Sequence, residues 1–319
     1  MTALCRVLVR ARAHRRPARK TALAAALVAL LTLPLGVAHA GERAQDRASH
    51  HHHRHHHRLS PCALATGRAS ACASIQIYGH RAIGNANENT LAALKRDAKL
   101  KVRFESDTWR LAAADGTPNA GPSVVIHDPT LRRTVDPACL GSLSPDTRVG
   151  QVTLAQWKTL CNRTGEPLPT LRQWIRKAGR WGVPGIMEVK YLPRDLAQIA
   201  DWIATSGAKI SFYVSPHKYH GVCNQNSAAA LSAAGLTVGL KVSSACPVSL
   251  EDAAALGYDF VIGGDAADPV YVAQAHALGL RIGNYNSRRV ATWTRLVDAG
   301  VDMIIAARPK RLRDWLRGT

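Results

Sequence analysis

The sequence predicts a (β/α)8 barrel of the TIM type, and three observations carry that prediction. From about Ser60 onward, short apolar or β-branched runs alternate with longer stretches of helical period. Eight such runs are separated by helical stretches, the number that closes a parallel barrel. Several of the helical stretches end in glycine, at Gly235, Gly257, Gly279 and Gly300, where a left-handed residue stops a helix.

The first strand, Ile75–Tyr78, leads into His80 and Arg81. The helix after it, Thr90–Ala98, begins at "NENT", where Asn89 or Thr90 supplies the cap. The second strand, Val102–Trp109, carries Glu105 and Asp107. A further strand-like run, Ser123–Ile126, follows it after "ADGTPNAGP", a segment full of turn residues. A parallel return needs a crossover of about a dozen residues or more, usually helical. A long β-hairpin excursion after the second strand is therefore the economical reading, and it returns His127 beside Asp107 near the barrel mouth. The remaining strands are Gly185–Lys190, Ile210–Val214, Thr237–Val242, Phe260–Ile262, Leu280–Tyr285 and Asp302–Ile305. Helices Thr170–Ala178, Leu196–Thr205, Ser227–Ala234, Leu250–Leu256, Val270–Leu278 and Arg289–Ala299 alternate with them.

Residues 1–40 stand apart from the fold. Met1–Lys20 carries seven Arg or Lys and no acid, Thr21–Val37 is apolar, and Ala38–Ala40 has the small-x-small pattern of a cleavage site. That is the pattern of a secretory signal peptide. The apolar run, with Pro34 near its end, is short for a membrane span of about 20 residues. The chain is thus expected to be secreted, extracellular or periplasmic, with no stable membrane insertion after cleavage. Residues 41–60 read as a His-rich disordered linker. Its tract His50–Arg58 either binds Zn2+, Ni2+ or Cu2+ through neutral imidazoles or is only a solvated spacer. Residues 61–319 form the barrel domain, expected as a monomer.

Removing the leader lowers the net charge from +20 to +13, which still favours anionic partners. No basic stripe interleaved with aromatics occurs, and aromatics are 5% of the chain, so nucleic acid is not an expected partner. Six cysteines follow the leader, an even count that reads as disulfides in an exported chain. They fall into three close couples, which favours Cys62–Cys72, Cys139–Cys161 and Cys223–Cys246. No Cys-x-x-Cys spacing supports structural zinc.

The charged residues of the strands are the chemical signal. Glu105 and Asp107, two apart on a strand, share one face. Like charges a few ångströms apart push one pKa up unless a cation compensates. A divalent metal on carboxylate oxygens resolves that conflict; two acids on an exposed face is the plainer alternative. Glu188 and Lys190 repeat the spacing within an apolar strand, where buried charges must be paired or ligated. They form either an internal ion pair, or a third metal ligand and a cation facing an anion. His80 and His127 each end a strand-like run, and imidazole, with an ordinary pKa of about 6.5, both donates and accepts protons near neutrality. A lone histidine at a strand end is commonly structural; two beside a carboxylate cluster read as an acid/base pair. Asp128 is read as capping the turn that "DPT" begins rather than as orienting an imidazole. Glu88, just before the first helix, is placed to hold Arg81, whose planar fork suits phosphate.

Taken in chain order, His80-Arg81, Glu88-Asn89-Thr90, Glu105-x-Asp107, His127-Asp128 and Glu188-x-Lys190 resemble the glycerophosphodiester phosphodiesterase family. Its members share a phosphodiesterase (β/α)8 barrel with the phosphatidylinositol phospholipases C. The resemblance begins near Ile75, is dense through His127 and again at Glu188, and is looser later, as in "GVDMIIAARP". It implies that His80 and His127 are the acid/base pair and that Glu105, Asp107 and Glu188 bind Ca2+ or Mg2+. It puts Arg81 and Lys190 on the phosphate, with Glu88 in support. The implied substrate is a small glycerophosphodiester, cleaved to glycerol 3-phosphate and an alcohol. The chain departs from the family pattern at Ala82, where glycine is usual, and at Asn87, where proline is usual. "GNYN", Gly283–Asn286, lacks the usual Trp, and Ala306-Ala307 replaces the usual Thr-Asp. The late departures bear on substrate preference, because the late loops shape the pocket of this fold. Two other readings compete. A phospholipase D-like enzyme on intact lipids would want an apolar membrane-facing loop, which the sequence lacks. A non-catalytic extracellular barrel binding metal or phosphate is the other.

Overall fold

The computed structural model describes residues 59–82, 87–215, 225–244 and 247–318. The expected leader, the His50–Arg58 tract and the third cysteine couple, Cys223 with Cys246, lie outside the described residues. Ser60 opens the described fold as a helix cap, its Oγ accepting from Ala63 N at 3.1 Å, with Pro61 at a position where its missing N–H costs nothing. Two short helices follow, α1 (Pro61–Thr66) and α2 (Ala69–Ser74). The Cys62–Cys72 disulfide ties them together, Cα atoms 6.1 Å apart. Neither was expected, because each is too short to show a helical period.

The barrel begins with β1 (Gln76–Gly79), α3 (Leu91–Leu100) and β2 (Arg103–Arg110), followed by β3 (Ser123–Val125). Next come α4 (Leu154–Trp157), α5 (Leu171–Trp181), β4 (Gly185–Val189), α6 (Leu196–Ser206), β5 (Ile210–Val214) and α7 (Gln225–Ala233). The chain continues through β6 (Val238–Val242), α8 (Leu250–Ala255), β7 (Phe260–Gly263), α9 (Pro269–Ala277) and β8 (Arg281–Ser287). It ends with α10 (Val290–Ala299), β9 (Met303–Ala306) and α11 (Pro309–Arg317). All strands but β3 are parallel, and β1 pairs with both β9 and β2, which closes a (β/α)8 barrel. β3 is antiparallel on β2, with Thr108 opposite Val125 and Arg110 opposite Ser123, so the expected hairpin excursion is present. The four expected glycine stops all have positive φ, between 77 and 88. Helix α11 was not expected from its charged stretch; its apolar face is Leu312, Trp315 and Leu316, and Trp315 lies 5.7 Å from Trp293 between ring centroids. No helix among the described residues is long and apolar enough to cross a membrane.

Side chains alternate across each strand. The outward set, including Ile77, Phe104, Met187, Phe212 and Ile304, packs against the helices through Leu94, Trp174 and Trp293. Inward, Tyr78, Ile186, Tyr213, Phe260, Ile262, Met303 and Ile305 fill the barrel. Two inward glycines make the room: a Cβ at Gly239 would lie 2.2 Å from the Phe260 ring, and one at Gly283 2.4 Å from the Met303 side chain. Toward the C-terminal strand ends, the inward side of β4 turns from Ile186 to Glu188, and β2 adds Glu105 and Asp107 to the same side.

Between β3 and α5 the chain builds a lobe with its own core, in which Val124, Ile126, Leu131, Val149, Val152 and Trp157 are buried. The Cys139–Cys161 disulfide, Cα atoms 5.6 Å apart, closes it. Replacing both cysteines by serine is expected to cost about 2–4 kcal/mol and to open this lobe before the barrel. Hydrogen exchange reads the difference, and uniform loss of protection across lobe and barrel would deny the lobe a separate core.

Candidate active site

The turn after β1 is fastened to β9 and to β2. His80 N donates to Ala306 O at 3.0 Å, Arg81 N to the Glu105 side chain (Oε2) at 2.8 Å, and Ala82 N to Glu105 O at 2.7 Å. These bonds hold Arg81 and Ala82 in the left-handed region, at φ 56 and 47. Each left-handed non-glycine residue costs roughly 1–2 kcal/mol, which is the physical reason glycine suits position 82. Burial of the Ala82 methyl offsets about 0.8 kcal/mol of that cost. Of the two expected caps of α3, Thr90 takes the role, accepting from Ala93 N at 3.1 Å. Asn89, at φ 57, turns instead to Asp107 and donates to its Oδ2 at 3.1 Å.

Glu105, Asp107 and Glu188 come together as their strand positions require. One oxygen of each lies within 4.8 Å of the others, and all three residues are buried. Lys190 Nζ is 2.7 Å from Glu188 Oε1 and 3.3 Å from Asp107 Oδ1, so the internal ion pair is present. The longer contact lacks hydrogen-bond geometry, and Asp107 Oδ1 has no hydrogen-bond partner. Tyr213 sends its hydroxyl between Glu105 Oε1 (2.8 Å) and Glu188 Oε2 (3.1 Å), where one proton serves one carboxylate at a time. Ser215 Oγ donates to Glu188 Oε1.

Three acids against one ammonium leave the cluster short of positive charge. Burial, followed by the Asp107 charge, pushes the Glu105 carboxyl well above the usual carboxylate range. Burial acts on Glu188 too, but the Lys190 and Lys241 charges and its hydrogen bonds outweigh it and hold Glu188 below that range. Converging carboxylates, one oxygen without a partner and one carboxyl forced toward its protonated form are what a metal ion would relieve. This triad can hold one.

The two histidines sit in different surroundings. His80 Nε2 is 2.8 Å from Tyr285 Oη, the rings edge-on with centroids 5.0 Å apart. Burial, then the neighbouring Arg81 charge, lowers the His80 pKa to about 4. His127 Nδ1 lies 2.6 Å from Asp128 Oδ1. Asp128 is therefore no turn cap, contrary to the sequence expectation: its carboxylate is taken by His127 and by Arg133, whose Nε is 2.5 Å from Oδ2. Arg133 also donates to Glu88, and Glu88 accepts from Arg81 at 3.1 and 3.3 Å, so Glu88 does hold Arg81. One run of ion pairs, ending in the Asp128–His127 hydrogen bond, thus links Arg81 to His127 across the mouth.

Sequence reading missed five residues here. Tyr213 and Ser215 were within reach, because "SFYVS" puts them two apart on one face, the spacing that singled out Glu105 and Asp107. Lys241, in the apolar "VGLKV", carries the signal that marked Lys190; its Nζ stands 3.9 Å from the centroid of the Tyr285 ring. Tyr285 stands in the "GNYN" stretch. Arg133 leaves no local trace, since its partners come from segments far apart in the chain.

Two imidazoles beside a carboxylate cluster, at the C-terminal mouth of a closed parallel barrel, make a pocket of the (β/α)8 class with groups for proton transfer and for holding a cation. The sequence carries the assignment further: residues 80–311 match the model of the Glycerophosphoryl diester phosphodiesterase family. The chain belongs to that family. Among solved structures, a glycerophosphodiester phosphodiesterase from Agrobacterium tumefaciens is similar at 20% identity and TM-score 0.59, over 75% of this chain and 99% of that one. Another, from Parabacteroides distasonis, is similar at 16% identity and TM-score 0.59, over 77% and 98%. A phosphodiesterase from Oleispira antarctica, in complex with the product sn-glycerol-3-phosphate, is similar at 20% identity and TM-score 0.58, over 77% and 98%. At such identities the likeness carries the fold alone. No curated protein matches the chain in sequence.

The charge imbalance predicts a pH signature. Above the ordinary glutamate value of 4.5 and below its own raised one, the metal-free folded chain keeps a proton on Glu105 that the unfolded chain has lost. Stability therefore falls as pH rises through that window. An ion bound by the triad replaces that proton, so Ca2+ or Mg2+ is expected to raise the melting temperature more at about pH 8 than at about pH 5. Glu105→Gln should remove most of the difference. Equal shifts at both pH values would show that the triad is not where the ion binds.

Proposed function

We propose that the chain hydrolyses glycerophosphodiesters to glycerol 3-phosphate and an alcohol, with His80 and His127 as base and acid and with Ca2+ or Mg2+ on Glu105, Asp107 and Glu188. The observation that carries this reading is the unlike setting of the two imidazoles beside one buried carboxylate triad. His80, its pKa lowered to about 4, is neutral at ordinary pH and ready to accept a proton. It takes the proton of the glycerol hydroxyl next to the phosphoester, and that oxygen attacks phosphorus. His127, oriented through Nδ1 by Asp128, turns Nε2 to the leaving alcohol and protonates it. The roles then reverse, His127 activating the water that opens the cyclic phosphate. Arg81, braced by Glu88, and Lys190 offset charge on the phosphoryl oxygens. The ion, when bound, supplies Lewis-acid polarisation to the hydroxyl and the phosphoryl group. The product held by the Oleispira antarctica phosphodiesterase is the one this route releases. The basic, apolar leader over residues 1–40, followed by a His-rich linker to residue 60, together with the two disulfides, supports export to an oxidising compartment.

His80→Ala and His127→Ala are each expected to lower the rate by about 10²-fold or more. Glu105→Ala or Glu188→Ala should abolish turnover with the fold intact. An analogue of glycerophosphocholine without the neighbouring hydroxyl should bind and turn over very slowly. Cleavage of the analogue at the parent's rate would replace the cyclic route by direct attack of water. Phosphocholine as the product would overturn the choice of bond, and full activity after chelation would remove the metal.

A further inference from the structure

The opposite end of the barrel carries a second concentration of charge. A cavity of about 560 Å3 opens at the N-terminal ends of β1 and β2, lined by Lys99, Lys101, Arg103, Arg313 and Arg317 and by no Asp or Glu. The two arginines of α11 are fixed in place, Arg317 by main-chain carbonyls and Arg313 by a carbonyl and by an ion pair with Asp314 at 2.8 Å. Arg317 donates to Cys72 O at 3.2 Å and to Ile75 O at 3.1 Å, and Arg313 to Leu100 O at 3.1 Å. Arg103 lies against Tyr78, its Cζ 5.8 Å from the ring centroid. Elsewhere on the surface Arg132 pairs with Asp146. Among the described residues, Lys99, Lys101 and Arg103 form no ion pair.

Cations gathered around one concavity repel one another unless an anion enters, and fixed guanidinium forks match the oxygens of a phosphoryl group. Three cations that lack a carboxylate, beside the fixed guanidinium of Arg317, suit a group carrying more than one negative charge. We propose that this cavity is a second anion site, which takes a phosphoryl group independently of the site at the barrel mouth. Free phosphate and the head group of an anionic phospholipid offer the same chemistry.

The test compares the mature chain with Lys99→Glu/Lys101→Glu, two exposed positions outside the catalytic machinery, and with Arg180→Glu/Lys209→Glu. The latter pair makes the same charge change at exposed positions that do not line the cavity. Phosphate binding is followed by calorimetry at constant ionic strength, and melting temperatures check that all three chains fold. The first variant is expected to lose one phosphate site, or to bind there about 10-fold more weakly or worse, while the control keeps both sites. Sedimentation with phosphatidylglycerol vesicles, against phosphatidylcholine vesicles, separates the sources. A vesicle-binding loss confined to the first variant assigns the lipid head group, and a phosphate loss with no vesicle difference assigns free phosphate. Equal losses in the variant and the control would reduce the effect to net charge and overturn the proposal. Unchanged binding in both would overturn it as well.

Discussion

Burying three carboxylates in one small volume is the constraint around which the mouth of this barrel is built. Each buried charge costs several kcal/mol unless it is paired or ligated, and the surroundings of Glu105, Asp107 and Glu188 answer that cost group by group. Lys190 supplies a charge, Tyr213 and Ser215 supply hydroxyl protons, and Asn89 supplies a carboxamide. The turn after β1 supplies an N–H and accepts left-handed backbone at Arg81 to deliver it. The compensation is incomplete, and the remainder shows in the raised pKa of Glu105. A site whose buried carboxylates outnumber the cations paired with them is one that can hold a metal ion.

The second organising feature is the lobe between β3 and α5. His127, Asp128 and Arg133 all belong to this excursion, whereas His80 and Arg81 belong to the barrel. The ion-pair run through Glu88 joins the two, so the placement of one imidazole depends on packing in a core separate from the barrel's own. Loops on rigid scaffolds are where catalytic groups concentrate, and here the loop has acquired a disulfide and buried Trp157 that make it a scaffold in turn.

Ala82 shows how a departure from a sequence pattern is absorbed. The backbone it must adopt disfavours a side chain, yet the methyl is fully buried and its N–H bonds to Glu105 O. The turn is over-determined by its hydrogen bonds, so the strain is local and Arg81 keeps its hold on Glu105 and Glu88.

Much of the fold and of the site was legible in the chain. Period-two spacing placed Glu105 with Asp107 and Glu188 with Lys190, because a strand sends alternate residues to one face whatever surrounds it. Alternation of strand and helix, closed by glycine stops, determined the barrel, and the turn-rich segment before Ser123 determined the hairpin. Helices α1, α2 and α11 were not legible, since the first two are short and the third is too charged to declare its buried face. At the mouth, only the tertiary structure decided that Asp128 serves His127, that Arg133 bridges Asp128 and Glu88, and that Tyr285 meets His80. Those contacts join residues up to 205 positions apart in the chain. Local sequence records which face a residue occupies; which distant charge shares that face is decided by the closure of the barrel.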